Sequence, residues 1–186
     1  MNRLRKVMVV SIVAALGLIG IACGQMGEAN KLVDEANATI KKSNESSTKS
    51  AALIKEIFGN LKADDLEEYK NTNKAKLDEL LKLLEGSEKD LADAGGKFEA
   101  ASKLDVSAKF KEYLGLKGQE IKKRSEHDKA TTAFVKSFQS EKDLEKVNTL
   151  MDDYVKKSGD INKEAEDLMK KADQIVKDNP TEFKSN

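Results

Sequence analysis

The strongest constraint on the fold of this chain is an apolar seam in its C-terminal part. Ten residues recur there at alternating spacings of three and four. In order, they are Leu144, Val147, Met151, Tyr154, Ser158, Ile161, Ala165, Leu168, Ala172 and Ile175. A seam of this spacing lies on one face of an α-helix, and it continues here for more than four heptads. Ser140 and Asp143 predict the N-terminal cap of this helix, and Asn179-Pro180 predicts its end.

The same helical period predicts three earlier helices. In chain order, they are expected to span about 28–58, 64–104 and 108–138. Asp64 is the expected cap of the second helix and Ser107 that of the third, because short polar side chains favour this position. Gly86, Gly95 and Gly96 are each expected to destabilise the second helix by about 1 kcal/mol relative to alanine. The apolar stripe keeps its phase across these glycines, so one continuous helix is predicted.

Composition favours long amphipathic helices packed together. Of the 186 residues, 35% are charged and 5% are aromatic, and the chain contains one proline and no tryptophan. No stretch of the sequence alternates as a half-buried strand does. We therefore predict an all-α fold, an elongated antiparallel four-helix bundle over 28–178 that is about 50–60 Å long. An open array of two helical hairpins is the alternative.

Laying the predicted helices antiparallel gives two apolar ends and a polar middle. One end would gather Val33, Ile40, Phe98, Leu104, Phe110, Tyr113, Leu114, Leu168 and Ile175. The other end would gather Ile54, Phe58, Leu66, Tyr69, Leu77, Phe134, Phe138, Leu144 and Val147. The middle would hold Ser43, Ser47, Ser87, Ser125, Asp128 and Ser158. Such a polar layer either fixes the register of the helices or lines a cavity for a ligand.

The start of the chain differs in character from the rest. Arg3, Arg5 and Lys6 precede an uncharged, mostly apolar run over 7–21, and the only cysteine, Cys23, follows it. The run is shorter than the roughly 20 residues that a membrane-spanning helix needs. A positive start, a short apolar run and small residues at a cleavage point are the layout of a secretory signal.

This segment resembles a bacterial lipoprotein signal peptide, whose lipobox ends in the cysteine that is acylated. Ile21 and Ala22 suit the two positions before Cys23, and Gly20 stands where such motifs usually carry leucine. The resemblance covers the first 24 residues only, and it implies that Cys23 becomes the lipidated N-terminus. The predicted division of the chain is a cleaved signal peptide at 1–22, a lipidated N-terminus and linker at 23–27, the bundle at 28–178 and a C-terminal tail at 179–186.

Two alternatives for this segment stay open. One is an uncleaved membrane anchor with an incidental cysteine. The second is cleavage by the ordinary secretory peptidase, which would leave a free thiol in an oxidising compartment. If Cys23 is acylated, its two or three acyl chains form a stable membrane anchor. Gly24, rather than aspartate, follows the cysteine, so the resemblance implies the outer membrane in a host with two membranes.

The sequence offers little catalytic or cofactor-binding chemistry. His127 is the only histidine, and because Glu126 and Asp128 flank it we expect a solvated surface residue. The chain has neither the paired Glu-x-x-His motifs of a di-iron bundle nor the Cys-x-x-Cys-His motif of haem attachment. It also lacks the Gly-x-Ser-x-Gly motif and the phosphate-binding loop. We predict no enzyme activity, no cofactor and no metal site.

Charge and the signal segment together define the functional expectation. The chain has 33 basic and 33 acidic residues, and removal of 1–22 leaves 30 basic against 33 acidic, which argues against nucleic acid as a partner. We expect a non-enzymatic envelope lipoprotein, bound to the membrane through acyl chains on Cys23, that acts as a spacer or contacts an envelope protein partner. The alternative is a ligand-binding module or surface adhesin that uses the middle layer or basic clusters such as Lys122-Lys123-Arg124. These clusters are interleaved with acidic residues, as ordinary solvated helix faces are.

Overall fold

A computed structural model describes residues 25–59, 61 and 65–183. These residues form four long helices and one short helix: α1 (Met26–Phe58), α2 (Leu66–Ser102), α3 (Ala108–Ser140), α4 (Leu144–Asp178) and α5 (Pro180–Phe183). The described residues contain no β-strand. Helices that follow one another in the chain pack side by side and antiparallel. The prediction of an all-α four-helix bundle is confirmed.

Aspartate and serine side chains cap the helices, although not always at the predicted position. The Asp65 carboxylate accepts hydrogen bonds from the backbone N–H groups of Glu67 and Glu68 and caps α2. Asp64, near which this helix was predicted to begin, lies outside the described residues. The Ser107 hydroxyl accepts from the Phe110 backbone N–H at 3.1 Å, which confirms it as the cap of α3. A side-chain acceptor here satisfies backbone donors that have no partner within the helix.

The cap of α4 is Asp143, and the prediction that Ser140 contributes to it was wrong. The Asp143 carboxylate accepts from the backbone N–H groups of Glu145 and Lys146. Ser140 is instead the last residue of α3, where its hydroxyl donates to the Ser137 carbonyl. The turn between α3 and α4 therefore consists of residues 141–143, and α4 begins later than a cap at Ser140 would place it.

Helix α2 runs without a break through all three of its glycines, as predicted from the continuous phase of its apolar stripe. Space is open at Gly86 and Gly96, where an added Cβ would find nothing within 4 Å. Gly95 lies closer to α3, since its Cβ would stand 3.5 Å from the Ile121 side chain, which is ordinary contact. None of the three glycines is therefore needed for a close approach between helices.

Replacing Gly86 or Gly159 by alanine is expected to raise the free energy of unfolding by about 0.5–1 kcal/mol each. Both glycines lie inside long helices, and an added Cβ would meet nothing within 4 Å at either position. Urea denaturation of the two single variants and the double variant measures the effect. Gly59→Ala is the contrasting variant, because its Cβ would clash with the Lys55 carbonyl oxygen and should lower stability. A loss of stability in Gly86→Ala would contradict the prediction.

The core is divided into two apolar clusters, one near each end of the bundle. The proximal cluster, at the end that holds residue 25, includes Ala29, Val33, Ala36, Leu91, Ala94, Phe98, Ala101, Phe110, Leu114, Ile121 and Phe183. The distal cluster includes Ile57, Phe58, Leu66, Leu77, Leu80, Leu84, Phe134, Val135, Phe138 and Val147. Partly buried α4 residues, such as Ile175 and Met151, pack against each cluster, so all four long helices contribute to both. Packing between α2 and α3 joins the two hairpins into one bundle.

Two residues depart from the expected composition of these ends. Leu144, predicted to begin the apolar seam of α4, keeps 38% of its surface exposed because it is the first residue of the helix, just beyond the cap. Phe183, placed in the expected tail, is 7% exposed and lies in the proximal cluster. Its ring centroid is 5.6 Å from that of Phe110 and 5.4 Å from that of Tyr113. The chain after Asn179 therefore returns to the bundle as α5.

Candidate functional site

Polar side chains lie between the two apolar clusters, at the height where a polar middle layer was predicted. Ser43, Ser87, Asp128 and Ser158 are buried, whereas Ser47 and Ser125 are half-buried. A hydrogen bond of 2.8 Å joins the hydroxyl oxygens of Ser43 on α1 and Ser87 on α2. No hydrogen bond between side chains connects Ser47 or Ser125 to this layer among the described residues. The layer is thus built from pairs of residues rather than from one group that contains all six.

A second set of polar contacts joins α3 to α4 at this height. His127 Nε2 and Ser158 Oγ are 2.8 Å apart, and the hydroxyl oxygens of Thr131 and Tyr154 are 3.1 Å apart. Burial raises the pKa of the Tyr154 hydroxyl above its ordinary value. The expectation that His127 is a solvated surface residue was wrong, because its side chain is 21% exposed and bonded across the helix interface. The acidic residues on either side of His127 in the sequence did not indicate that its partner, Ser158, lies on α4.

Asp128 is the most unusual member of the layer. It is 5% exposed, and its Oδ2 atom has no hydrogen-bond partner among the described residues. Its Oδ1 atom lies 3.6 Å from His127 Nδ1. A buried carboxylate oxygen without a partner costs free energy, because the water that solvated it in the unfolded chain is not replaced.

Asp128 is the last member of a row of inward-facing charged residues on α3. This row was not predicted from the sequence. The row consists of Lys117, Glu120, Arg124 and Asp128, at spacings of three, four and four. Lys117 forms an ion pair with Glu120, and Arg124 lies 4.0 Å from Glu120. Arg124 also donates to the side-chain carbonyl of Asn44 on α1. Burial lowers the pKa of the Arg124 guanidinium below its ordinary value, while Glu120 and Asp128 oppose that shift.

The charged groups of this row pair mainly with one another. Each of Lys117, Glu120 and Arg124 has an oppositely charged neighbour on the same helix, and Asn44 links the row to α1. Sliding α3 by one turn, about 5.4 Å, would separate Arg124 from Asn44 and leave a buried charge with fewer partners. The arrangement therefore suits fixing the register of the helices. The signal for it was available, because the spacing is in phase with the apolar positions Leu114 and Ile121.

The cluster Lys122-Lys123-Arg124 is not one surface patch in the folded chain. Lys122 is exposed, but Arg124 turns inward as described above. Lys123 lies 2.8 Å from carboxylate oxygens of both Glu126 and Glu164, and these hydrogen bonds raise its pKa. Lysines that are adjacent in sequence elsewhere also differ in their surroundings: Lys170, next to Lys171, pairs with Glu166 at 2.7 Å, whereas Lys41 and Lys42 are both exposed. Basic residues that are adjacent in sequence do not form one surface patch here, because the side chains of neighbouring residues on a helix point about 100° apart around its axis.

An open groove of about 490 Å³ lies between α3 and α4, near the proximal end rather than at the polar layer. Leu116 and Ile175 contribute apolar surface to it, and Lys109 and Glu112, an ion pair at 2.8 Å, stand at its side. Its charged groups balance one another, so it has no clear preference for a charged ligand.

Metal sites, membrane spans and similarity to known proteins complete the description of the chain. The part of the chain that the structure describes contains no cluster of three or more His, Cys, Asp or Glu side chains arranged to hold a metal ion. Within the same part, no helix has a stretch that is apolar and long enough to cross a bilayer. Cys23, the predicted acylation site, lies outside the described residues. Comparison with protein-family models, curated proteins and solved structures gave no match.

Proposed function

We propose that this chain is a bacterial envelope lipoprotein, attached to a membrane by acyl chains on Cys23. The bundle is a non-enzymatic module that acts as a spacer or contacts an envelope protein. The observation that carries the proposal is the short interval between Cys23 and the folded bundle. Helix α1 begins at Met26, three residues after the cysteine. A lipid on Cys23 would therefore hold the folded bundle close to the membrane, without a long tether between them.

The residue just before α1 is also hydrogen-bonded to the turn at the same end of the bundle. The side-chain carbonyl of Gln25 accepts a hydrogen bond of 2.9 Å from the backbone N–H of Asp105, in the turn between α2 and α3. In the same region, the Ser107 hydroxyl donates to the Glu182 carboxylate on α5. These contacts support a proximal end that rests on the bilayer, with the distal end about 50 Å away, the length of α1.

The surface of the distal end favours a spacer over an apolar docking site. Of the aromatic residues that were predicted at this end, Phe58 and Phe134 are buried. Tyr69 is half-buried, and its hydroxyl donates to the Ile57 carbonyl. Leu144 is the one large apolar residue that the described chain exposes by more than a third. A partner at this end would therefore meet a mainly polar surface.

Cys23→Ser is expected to abolish acylation, so that a chain without 1–22 loses its stable attachment to the membrane. Two or three acyl chains hold a protein stably at a bilayer, whereas no other described segment replaces them. Metabolic labelling with a fatty acid and intact-mass measurement check the modification. Separation of the two membranes in a double-membrane host checks the outer-membrane expectation that Gly24 supports.

Gln25→Ala is the matched control, because it keeps Cys23 and removes only the contact with Asp105. It should remain acylated and membrane-bound. Recovery of the unsubstituted chain at the membrane without acyl groups and with 1–22 still attached would instead support the uncleaved anchor and overturn the proposal.

A further inference from the structure

The solvent-facing side of α3 carries a straight row of lysines. Lys111, Lys122, Lys129 and Lys136 are all exposed, and we refer to these four residues as the lysine row. At about 100° per residue, their directions around the helix axis fall within about 40° of one another. The last three are seven residues apart, or about 10 Å along the axis, and the whole row spans about 37 Å. The row therefore follows the long axis of the bundle on the side opposite the core.

The lysines of the row form no close ion pair with a carboxylate. None of its four ammonium groups forms an ion pair within 4.0 Å in the described part of the chain. Glu126 lies between Lys122 and Lys129 along the helix. Its ion pair is with Lys123, at 2.8 Å, and this hydrogen bond, with smaller contributions from Lys122 and Lys129, lowers the pKa of the Glu126 carboxyl. The four positive charges are thus available to an external anion.

Small residues fill the positions between these lysines. Gly115, Gly118, Ser125 and Ala133 share the outward face, and an added Cβ at either glycine would meet nothing within 4 Å. The long side chain on this face between Lys122 and Lys129 is that of Glu126, and it pairs with Lys123. A chain-like ligand could therefore lie close to the helix along the entire row.

Charge distribution distinguishes α3 from the helices beside it. Helix α3 has eight basic and four acidic residues, whereas α2 has six basic and nine acidic, and α4 has seven basic and nine acidic. Both α2 and α4 pack against α3. A flat anionic surface would face the acidic excess of α2 and α4 as well as the lysine row. A narrow chain would contact α3 alone, so the charge pattern favours a linear polyanion over a membrane surface.

We propose that the lysine row is a docking surface for a linear acidic polysaccharide that bears carboxylate or sulfate groups. Binding of single-stranded nucleic acid commonly uses aromatic side chains on which bases stack and arginines that add cation–π contacts. The lysine row contains neither, and lysine binds an anion as a point charge without a preferred plane. A polysaccharide with repeated anionic groups needs only such point charges in a line. This proposal does not depend on acylation of Cys23.

Binding of the full-length protein to immobilised heparin and to polygalacturonate tests the proposal, with a sulfated probe and a carboxylated probe as separate arms. The test variant is Lys122→Gln, Lys129→Gln, Lys136→Gln. The control variant, Lys82→Gln, Lys89→Gln, Lys163→Gln, removes the same charge from exposed lysines on α2 and α4. Circular dichroism and thermal melting of both variants exclude unfolding as the cause of a loss.

We expect the unmodified chain to bind at least one of the two polysaccharides at about 50 mM salt and to lose affinity steeply as salt rises. The test variant should bind about 30-fold or more weakly, and the control should stay within about threefold. Absence of binding to both polysaccharides, or an equal loss in both variants, would overturn the proposal. Tighter binding to a single-stranded oligonucleotide or to anionic vesicles through the same lysines would overturn the choice of ligand class.

Discussion

Phe138→Ala is expected to lower the free energy of unfolding by about 3–5 kcal/mol. Phe138 is fully buried in the distal cluster, where its ring meets that of Phe58 edge to face with centroids 4.9 Å apart. Lys70 Nζ lies 5.8 Å from the ring centroid, and Lys70 also donates to the Glu141 carbonyl in the turn after α3. Truncation would therefore leave a cavity and remove an aromatic pair and a cation–π contact.

Chemical denaturation with circular dichroism measures this loss. Leu144→Ala is the control at the same end, because the side chain of Leu144 is 38% exposed and its truncation removes little buried surface. It should change stability by less than about 0.5 kcal/mol. Similar effects of the two substitutions would mean that the distal cluster is not packed as described.

Phe183→Ala is expected to lower the free energy of unfolding by about 3 kcal/mol, an unusually large effect for a residue so near the end of a chain. The side chain is 7% exposed, and its ring packs on Phe110 and Tyr113 in the proximal cluster. Burial raises the pKa of Tyr113 to about 12, which agrees with a well-covered aromatic group at this end.

Thr181→Ala is the matched control within α5, since Thr181 is exposed. It should leave the unfolding midpoint within experimental error. If Phe183→Ala behaves like this control, α5 contributes little to the fold and the proximal cluster is complete without it.

The structural features that depend on helical periodicity or on local hydrogen bonding were predicted correctly from the sequence. The seam of α4, the continuity of α2 across Gly86 and the cap at Ser107 all follow from helix geometry or local hydrogen bonding, and they agree with the structure. Local signals were less decisive where two candidate caps stood close together, as with Ser140 and Asp143. Only the conformation of the turn selects between such neighbours, and that conformation depends on how α3 and α4 pack.

Features that depend on three-dimensional placement were missed. Phe183 follows a helix-ending proline and has no periodic neighbours, so nothing local indicated that it returns to the core. His127 was assigned to the surface from its acidic neighbours, although its partner Ser158 lies on another helix. For the candidate binding surface, adjacent basic residues drew attention to Lys122-Lys123-Arg124. The spacing of seven that joins Lys122, Lys129 and Lys136 was the more informative signal.

The hydrogen bonds that tie Gln25 to Asp105 and Ser107 to Glu182 bring the two ends of the described chain to one end of the bundle. A tag joined directly before Gln25 or directly after Phe183 would therefore crowd the same small surface. The turn at Lys142 between α3 and α4, where Lys142 is exposed, lies at the opposite end, about 50 Å away. A reporter peptide inserted in that turn would leave both chain ends undisturbed and would stand as far from any lipid at Cys23 as the bundle allows.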